Sequence, residues 1–323
     1  MNLKSLLSSL ALAGVVLGAS LPAMAQDYPS STIQLIVPYA PGGSGDITAR
    51  LIAEHLSPAL GRPVVVENRP GANGSIGSDF VAKAAPDGYT LEVVVQSHVL
   101  GKALMPSLTY DPVSDFEPIS LMSRTQLGVV VPASLPVNTL EEFVAYVKER
   151  PGELAFASAG HGSNAHVFTE WFLDTADLDM IHVPYAGSAA AHPDLISGVA
   201  TMAFDTLASV QGLVTDGRLK LLAVAGAERH PEFPDVPTIA ESGYPDYDAS
   251  SWTMLLAPAG TPEAIVDRLN KEVIAVLSRD DVKERLASLG ATVVASSPAE
   301  AKATMETEVQ RYTDLIERLG LAQ

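Results

Sequence analysis

The chain has 323 residues, with 20 Lys+Arg against 38 Asp+Glu and a formal net charge of −18. That balance repels polyanions, which excludes a nucleic-acid partner and an anionic membrane surface. A hydrophobic content of 47% and a mean hydropathy of +0.20 exclude an acidic disordered chain.

Residues 1–25 read as a secretory signal. Lys4 supplies the basic start, Leu6 to Gly18 the apolar stretch, and Ala23-Met24-Ala25 a small-x-small cleavage site. The apolar stretch is shorter than the ~20 residues a spanning helix needs. Cleavage there leaves 298 residues with 19 basic and 38 acidic side chains, a balance of −19. The expected location is therefore the periplasm. With no cysteine, disulfides and cysteine-held metals are excluded, and stability must come from packed cores.

Short apolar runs then alternate with helix-period segments. Strands are expected at Ile33–Val37, Val64–Val66 and Leu91–Val95, and further on at Leu154–Ala157, Ile181–Val183, Ala200–Phe204 and Leu221–Ala225. Between them, Ile47, Leu51, Ile52, Leu56 and Leu60 recur at helical spacing up to Gly61. Further helices are expected at 76–84, 165–173 and 189–196. Trp171 and Phe172 are read as core. Near the end, Thr261-Pro262-Glu263 offers a cap, Pro at the first helical position and an early acid. Val309, Tyr312, Leu315, Ile316 and Leu319 stripe a last helix. This alternation implies an α/β fold with mostly parallel sheets flanked by helices. No clean linker appears, so two lobes would be built with more than one crossing. The boundaries expected are 27–123 plus 226–323 for lobe 1, which is discontinuous, and 124–225 for lobe 2.

Loops rich in small and polar residues follow several of these strands. Pro38-Tyr39-Ala40-Pro41-Gly42-Gly43-Ser44-Gly45-Asp46 leads from a strand into a helix, with Asp46 as its expected N-cap. Free N–H groups and the dipole at a helix start favour an anion. Ser158-Ala159-Gly160-His161-Gly162-Ser163-Asn164 repeats that logic, with Ser163 or Asn164 as cap. Two more such loops are 68–77 and 184–188, and Asp205 closes a strand. Open α/β sheets bind ligands at these carboxyl ends.

Rival chemistries fit less well. Thr48 stands where a dinucleotide-binding loop needs its third glycine, no P-loop lysine exists, and neither Ser44 nor Ser163 sits in a G-x-S-x-G elbow. The seven histidines include no HExxH and no tight ligand cluster along the chain. No cofactor and no metal is therefore expected. An exported hydrolase using His161, Ser163 and Asp205 is retained as the alternative enzyme.

Several segments resemble the tripartite tricarboxylate transporter substrate-binding proteins, the Bug or TctC-type family. They are 36–43 (IVPYAPGG), 65–72 (VVENRPGA), 86–90 (PDGYT), 110–112 (YDP), Gly162-Ser163, 182–185 (HVPY), 234–238 (PDVPT) and 257–262 (APAGTP). The resemblance spans essentially the whole mature chain. It implies a two-lobed periplasmic binding protein, monomeric and not an enzyme, that closes on a small organic acid and delivers it to a membrane permease. It also implies that one ligand carboxylate lies between the loops 39–46 and 158–164. A sensory receptor feeding a membrane kinase is the other reading. The ligand-facing residues expected are Tyr39, Ala40, Pro41, Gly43, Ser44, Asp46, Ala72 and Ser97 from lobe 1. From lobe 2 they are Ser158, Ala159, His161, Gly162, Ser163, Asn164, His166, Tyr185 and Asp205. This chain departs from the family in having Ala186 in place of a lysine, His161 in place of a smaller residue, and an altered 96–108 segment. The site is thus expected to be locally positive without being rich in Lys or Arg.

Overall fold

The apolar run Ile33–Val37 forms the first strand of a computed structural model that describes residues 28–105 and 107–321. The signal-type leader lies outside the described residues. The strands are β1 (Ile33–Val37), β2 (Val64–Asn68), β3 (Thr90–Val95), β4 (Phe116–Pro132), β5 (Ala155–Ser158), β6 (Ile181–Pro184), β7 (Met202–Thr206), β8 (Leu219–Val224), β9 (Ser250–Pro258) and β10 (Ala291–Val293). The helices are α1 (Ser44–Leu60), α2 (Ser75–Ala82), α3 (Ser97–Leu104), α4 (Leu140–Lys148), α5 (Asn164–Ala176), α6 (Ser188–Ser197), α7 (Leu207–Thr215), α8 (Glu263–Leu277), α9 (Asp280–Ala287) and α10 (Pro298–Leu319).

The α/β expectation holds, but the sheet is mixed. β2, β1 and β3 run parallel, as do β6, β5 and β7. Between these two parallel sets lie β9 and β4, both paired antiparallel to their neighbours. β4 is the link. Its first part, through Gln126, pairs with β9, and its second part, from Leu127, pairs with β7 and β8. A 17-residue strand of this kind is long enough to serve both halves of the sheet. The chain returns where Ala225 N–H donates to Leu127 O and Ala249 N–H to Ala225 O, at 2.8 and 2.7 Å.

Two smaller apolar clusters belong one to each half, while the largest runs through both, from Ile36 and Val94 to Val129 and Phe156. Ile33, Leu35 and Val37 alternate with the opposite face and meet Ile52 and Leu56 of α1 and Leu269 and Val273 of α8. In the other half, Val130 and Ala203 pack with Leu195 of α6 and Val210 of α7. Gly61 takes φ +66° and ends α1 with a left-handed cap. Ser297 and Glu300 form a reciprocal capping box at the start of α10. Thr261 is not the cap expected for α8. Its hydroxyl donates to Pro258 O, and Pro262 holds the N-cap position.

The turn that carries the 38–46 loop is fixed by a close approach. A Cβ on Gly77 would stand 2.7 Å from Pro38 Cβ, 2.8 Å from Pro38 Cα and 2.9 Å from Arg69 O. All three are rigid, so α2 must move if that space is filled. Gly77→Ala is expected to destabilise the protein by about 1–3 kcal/mol, the usual cost of overpacking. Urea denaturation measures it, and an unchanged midpoint would contradict the packing described.

Candidate functional site

Tyr39 leaves β1 and turns its ring under the start of α1, where its hydroxyl meets β3 and α3. Val95 N–H donates to that hydroxyl at 3.3 Å and Ser97 Oγ at 3.0 Å. Two donors onto one phenol oxygen leave the phenol proton free to donate elsewhere. Burial, opposed by those two bonds, still raises the Tyr39 pKa, so the proton stays on.

Gly43 precedes α1 with no side-chain cap, so the first amides of the helix have no side-chain partner at the N-cap. Asp46 is not the N-cap. It sits in the first turn of the helix, buried below the loop, and ties it down from inside. Its carboxylate accepts from Gly42 N–H at 2.9 Å, from Asn68 Nδ2 at 2.9 Å and from Arg50 Nε at 3.1 Å. Asn68 also donates to Tyr39 O. Burial pushes the Asp46 pKa up, but the bonds from Arg50, Gly42 and Asn68 outweigh it and hold the group below its ordinary value.

The second loop is built the same way. Ser163 caps α5, accepting from His166 N–H at 3.2 Å while donating to Gly160 O at 2.7 Å. Asn164 Nδ2 donates to Ser251 Oγ on β9 at 2.9 Å, and Asn164 Oδ1 is buried with no partner. The Ser251 hydroxyl can accept or donate, so either orientation of the Asn164 amide keeps that bond.

These elements enclose a cleft of about 230 Å³. Five helices begin at it. Ser44 opens α1, Ser97 opens α3, Ser163 and Asn164 open α5, Ser188 opens α6, and Thr206 is the N-cap of α7. Thr125, Leu127 and Ser251, on the strands that join the two halves of the sheet, complete its wall. No Lys or Arg lines the cleft among the described residues, and Asp205 is the one charged group. Asp205 is buried, accepts from Thr206 N–H at 2.7 Å and lies 2.8 Å from His192 Nε2. Partial positive charge from helix starts, with hydroxyls around them, suits an anion of small size.

Of the residues expected from sequence, Tyr39, Ser44, Ser97, Ala159, Ser163, Asn164 and Asp205 meet at the cleft. Ala40, Pro41 and Gly43 are exposed on the 38–46 loop, and Ala72 is exposed in the 71–74 turn. Asp46, Ser158 and Gly162 support the loops from behind. Tyr185 turns away, donating to Asp194 Oδ2 at 2.6 Å, which lifts its pKa to about 12. Asn73 and Ser188 stand in the 68–77 and 184–188 loops already singled out but were not named as ligand-facing, and Thr125, Ser251 and Thr206 were not expected at the site. Ser188 and Thr206 carry a signal that could have found them, since each starts a helix after a predicted strand.

The hydrolase triad is not assembled. The Ser163 hydroxyl is spent on capping, and Asp205 pairs with His192 rather than His161. The histidines do cluster, contrary to the linear reading. His182 on β6 stacks on His166 with centroids 4.0 Å apart, and His161 meets both edge-on at 4.8 and 5.4 Å. Burial, then repulsion from neighbouring imidazoles, pulls both His166 and His182 down to about 4. Both rings are therefore neutral at pH 7.

Residues 48–321 match the family described as "Tripartite tricarboxylate transporter family receptor". BugT of Bordetella pertussis is 38% identical over 322 residues, 99% of each chain. Among solved structures, an R. palustris protein, Rpa4515 with adipate, is 35% identical with a TM-score of 0.81, covering 92% of this chain and 99% of that one. MatC from Rhodopseudomonas palustris, with bound malate, is also 35% identical, with a TM-score of 0.78 and coverage of 90% and 100%. The chain therefore belongs to the tripartite tricarboxylate transporter receptor family, a family of periplasmic solute-binding proteins rather than enzymes.

Proposed function

We propose that this protein captures a small carboxylate in the cleft and delivers it to a tripartite tricarboxylate-type membrane permease. The observation that carries the reading is the set of five helix starts around a cleft with no basic side chain. Backbone amides of α1 and α5 would share one carboxylate, Tyr39 would donate its free proton, and hydroxyls would hold the remainder of the ligand. The relatives holding adipate and malate support an aliphatic dicarboxylate as the class. Residues 1–25 would direct export and be removed. Lobe 1 would comprise 27–123 and 226–323, and lobe 2 124–225, with the ligand making closure favourable by touching both. The free receptor would be a monomer.

A thermal-shift screen of mono-, di- and tricarboxylates, aromatic acids and acidic amino acids tests this. The expected result is a concentration-dependent rise in melting temperature with a dicarboxylate and no product formed. Asp205 offers a partner for a ligand amine, so acidic amino acids form a separate arm. A screen in which no acid shifts the transition, while neutral sugars do, would overturn the reading.

A further inference from the structure

His161, His166 and His182 come from a loop, a helix and a strand, and each offers one nitrogen, all within 4.8 Å of one another. We propose that these three imidazoles form a binding site for a divalent first-row transition ion such as Zn²⁺. It would be a site on lobe 2, separate from the residues that line the cleft, and it stands whether or not the cleft takes an acid.

Three imidazoles are a donor set that suits Zn²⁺, Cu²⁺ or Ni²⁺ rather than Ca²⁺ or Mg²⁺, which prefer oxygen. The hydrogen bonds bear on which nitrogens can ligate. His182 Nε2 lies 2.7 Å from Ser158 Oγ. Where that hydroxyl gives its one proton to Gly160 O at 3.2 Å, it accepts from Nε2–H and leaves the His182 Nδ1 lone pair free; where it gives the proton to Nε2, Nδ1 carries a proton that metal binding must release. His166 Nδ1 carries a lone pair as well, because Gly162 N–H donates to it at 3.2 Å. Its Nε2–H faces Glu170 Oε1 at 3.7 Å. A hydroxyl behind one imidazole and a carboxylate behind the other is the outer shell that orients metal-ligating histidines. Ligation by His166 Nδ1 displaces only the long contact from Gly162.

The ring geometry identifies what must move. The His166 and His182 rings are stacked within 17° of parallel with centroids 4.0 Å apart, so one of them must rotate to bring its in-plane lone pair onto a shared ion, and His161 stands at 81° and 84° to them. Three nitrogens around a tetrahedral Zn²⁺ at about 2.05 Å stand about 3.4 Å apart, so the cluster must contract by up to about 1.4 Å from its present limit of 4.8 Å. His161 is exposed and lies between Gly160 at φ +118° and Gly162 at φ +71°. That pair of glycines gives the loop the freedom to close. Water would fill the fourth position, as at open three-histidine sites.

Calorimetric titration of the untagged protein with Zn²⁺, paired with Co²⁺ visible absorption, tests the site. The expected result is one ion per chain with tetrahedral Co²⁺ bands. Loss of an outer-shell partner alone costs about 10–100-fold, so His161→Ala should weaken binding at least about 100-fold. His161 is exposed, so this variant should unfold at the same temperature as the parent without metal. His55→Ala, on α1, should bind as the parent does. Binding that is absent from the parent, or unchanged by His161→Ala, would overturn the assignment.

Discussion

Asp46→Asn is expected to weaken binding of the cleft's ligand by about 10–100-fold and to destabilise the fold by about 1–3 kcal/mol, the cost of leaving buried polar groups unpaired. The sign is the informative part. By Coulomb's law alone, removing a negative charge near an anion site should strengthen anion binding. The geometry predicts the reverse, because one carboxylate holds Gly42 N–H, Asn68 and Arg50 together and so sets the loop from Tyr39 to Ser44. An amide in its place turns one acceptor oxygen into a donor facing donors. The pH dependence follows the same logic. The Asp46 pKa is lowered in the folded state, so its stabilisation is present above the ordinary carboxylate range and is lost as pH falls through its folded value. Calorimetry on the variant measures both effects, and tighter binding by Asp46→Asn would remove Asp46 from its positioning role.

The second large effect concerns Glu92, fully buried on β3. Ser78 Oγ donates to its Oε1 at 2.6 Å, while Oε2 is buried without a partner. Burial, only partly countered by Ser78, pushes the Glu92 pKa up to about 8. Ionising it in place therefore opposes folding by up to about 5 kcal/mol, from the shift above 4.5. A carboxyl whose folded pKa is raised stabilises fully below its unfolded value and loses that contribution as pH rises through about 8. His98, His166 and His182 are lowered to about 4, which makes stability rise with pH up to about the unfolded histidine value near 6.5. The clean window is thus above pH 7. Between pH 7 and 8 the parent should lose about 1 kcal/mol more than Glu92→Gln does, since at most one proton is released at about 1.4 kcal/mol per pH unit. Urea denaturation at a series of pH values reads the difference. Parallel curves for parent and variant would contradict a protonated Glu92.

Local patterns identified the parallel strands because each is a short apolar run bounded by turn residues, such as Ile33–Val37 before Pro38. They did not identify β4 and β9. In β4 the polar residues Ser120, Ser123, Arg124, Thr125 and Gln126 interrupt the apolar positions, and the register shifts twice against β9. A strand that serves two halves of a sheet changes environment along its length, so neither alternation nor a continuous apolar run describes it. The cleft residues on those strands, Thr125 and Ser251, were hidden for the same reason. Ser44, Ser163 and Asn164 were legible because glycine-rich turns before helices carry a local signature. The histidine cluster was not, because His182 lies 16 residues after His166 and joins it only through the pairing of β5 with β6. Asp46 was legible as a helix-start acid. Arg50 stands at the i,i+4 spacing that could have signalled its pairing with Asp46, whereas Asn68, 22 residues on, is linked to it by no local pattern.

The acidity of the whole chain and an anion site within it are compatible because they act at different ranges. The net charge of −18 is spread over the surface and screened within about one Debye length, whereas helix-start amides act at contact. The most direct measurement is a calorimetric titration of the best acid from the screen against its matched amide, at low and high salt. Recognition by backbone amides and hydroxyls predicts one acid per chain, an amide at least about 100-fold weaker, and equilibrium affinity for the acid that changes little with salt, since no exposed basic side chain holds it. An amide that binds as tightly as the acid would contradict a carboxylate held by the helix-start amides of α1 and α5.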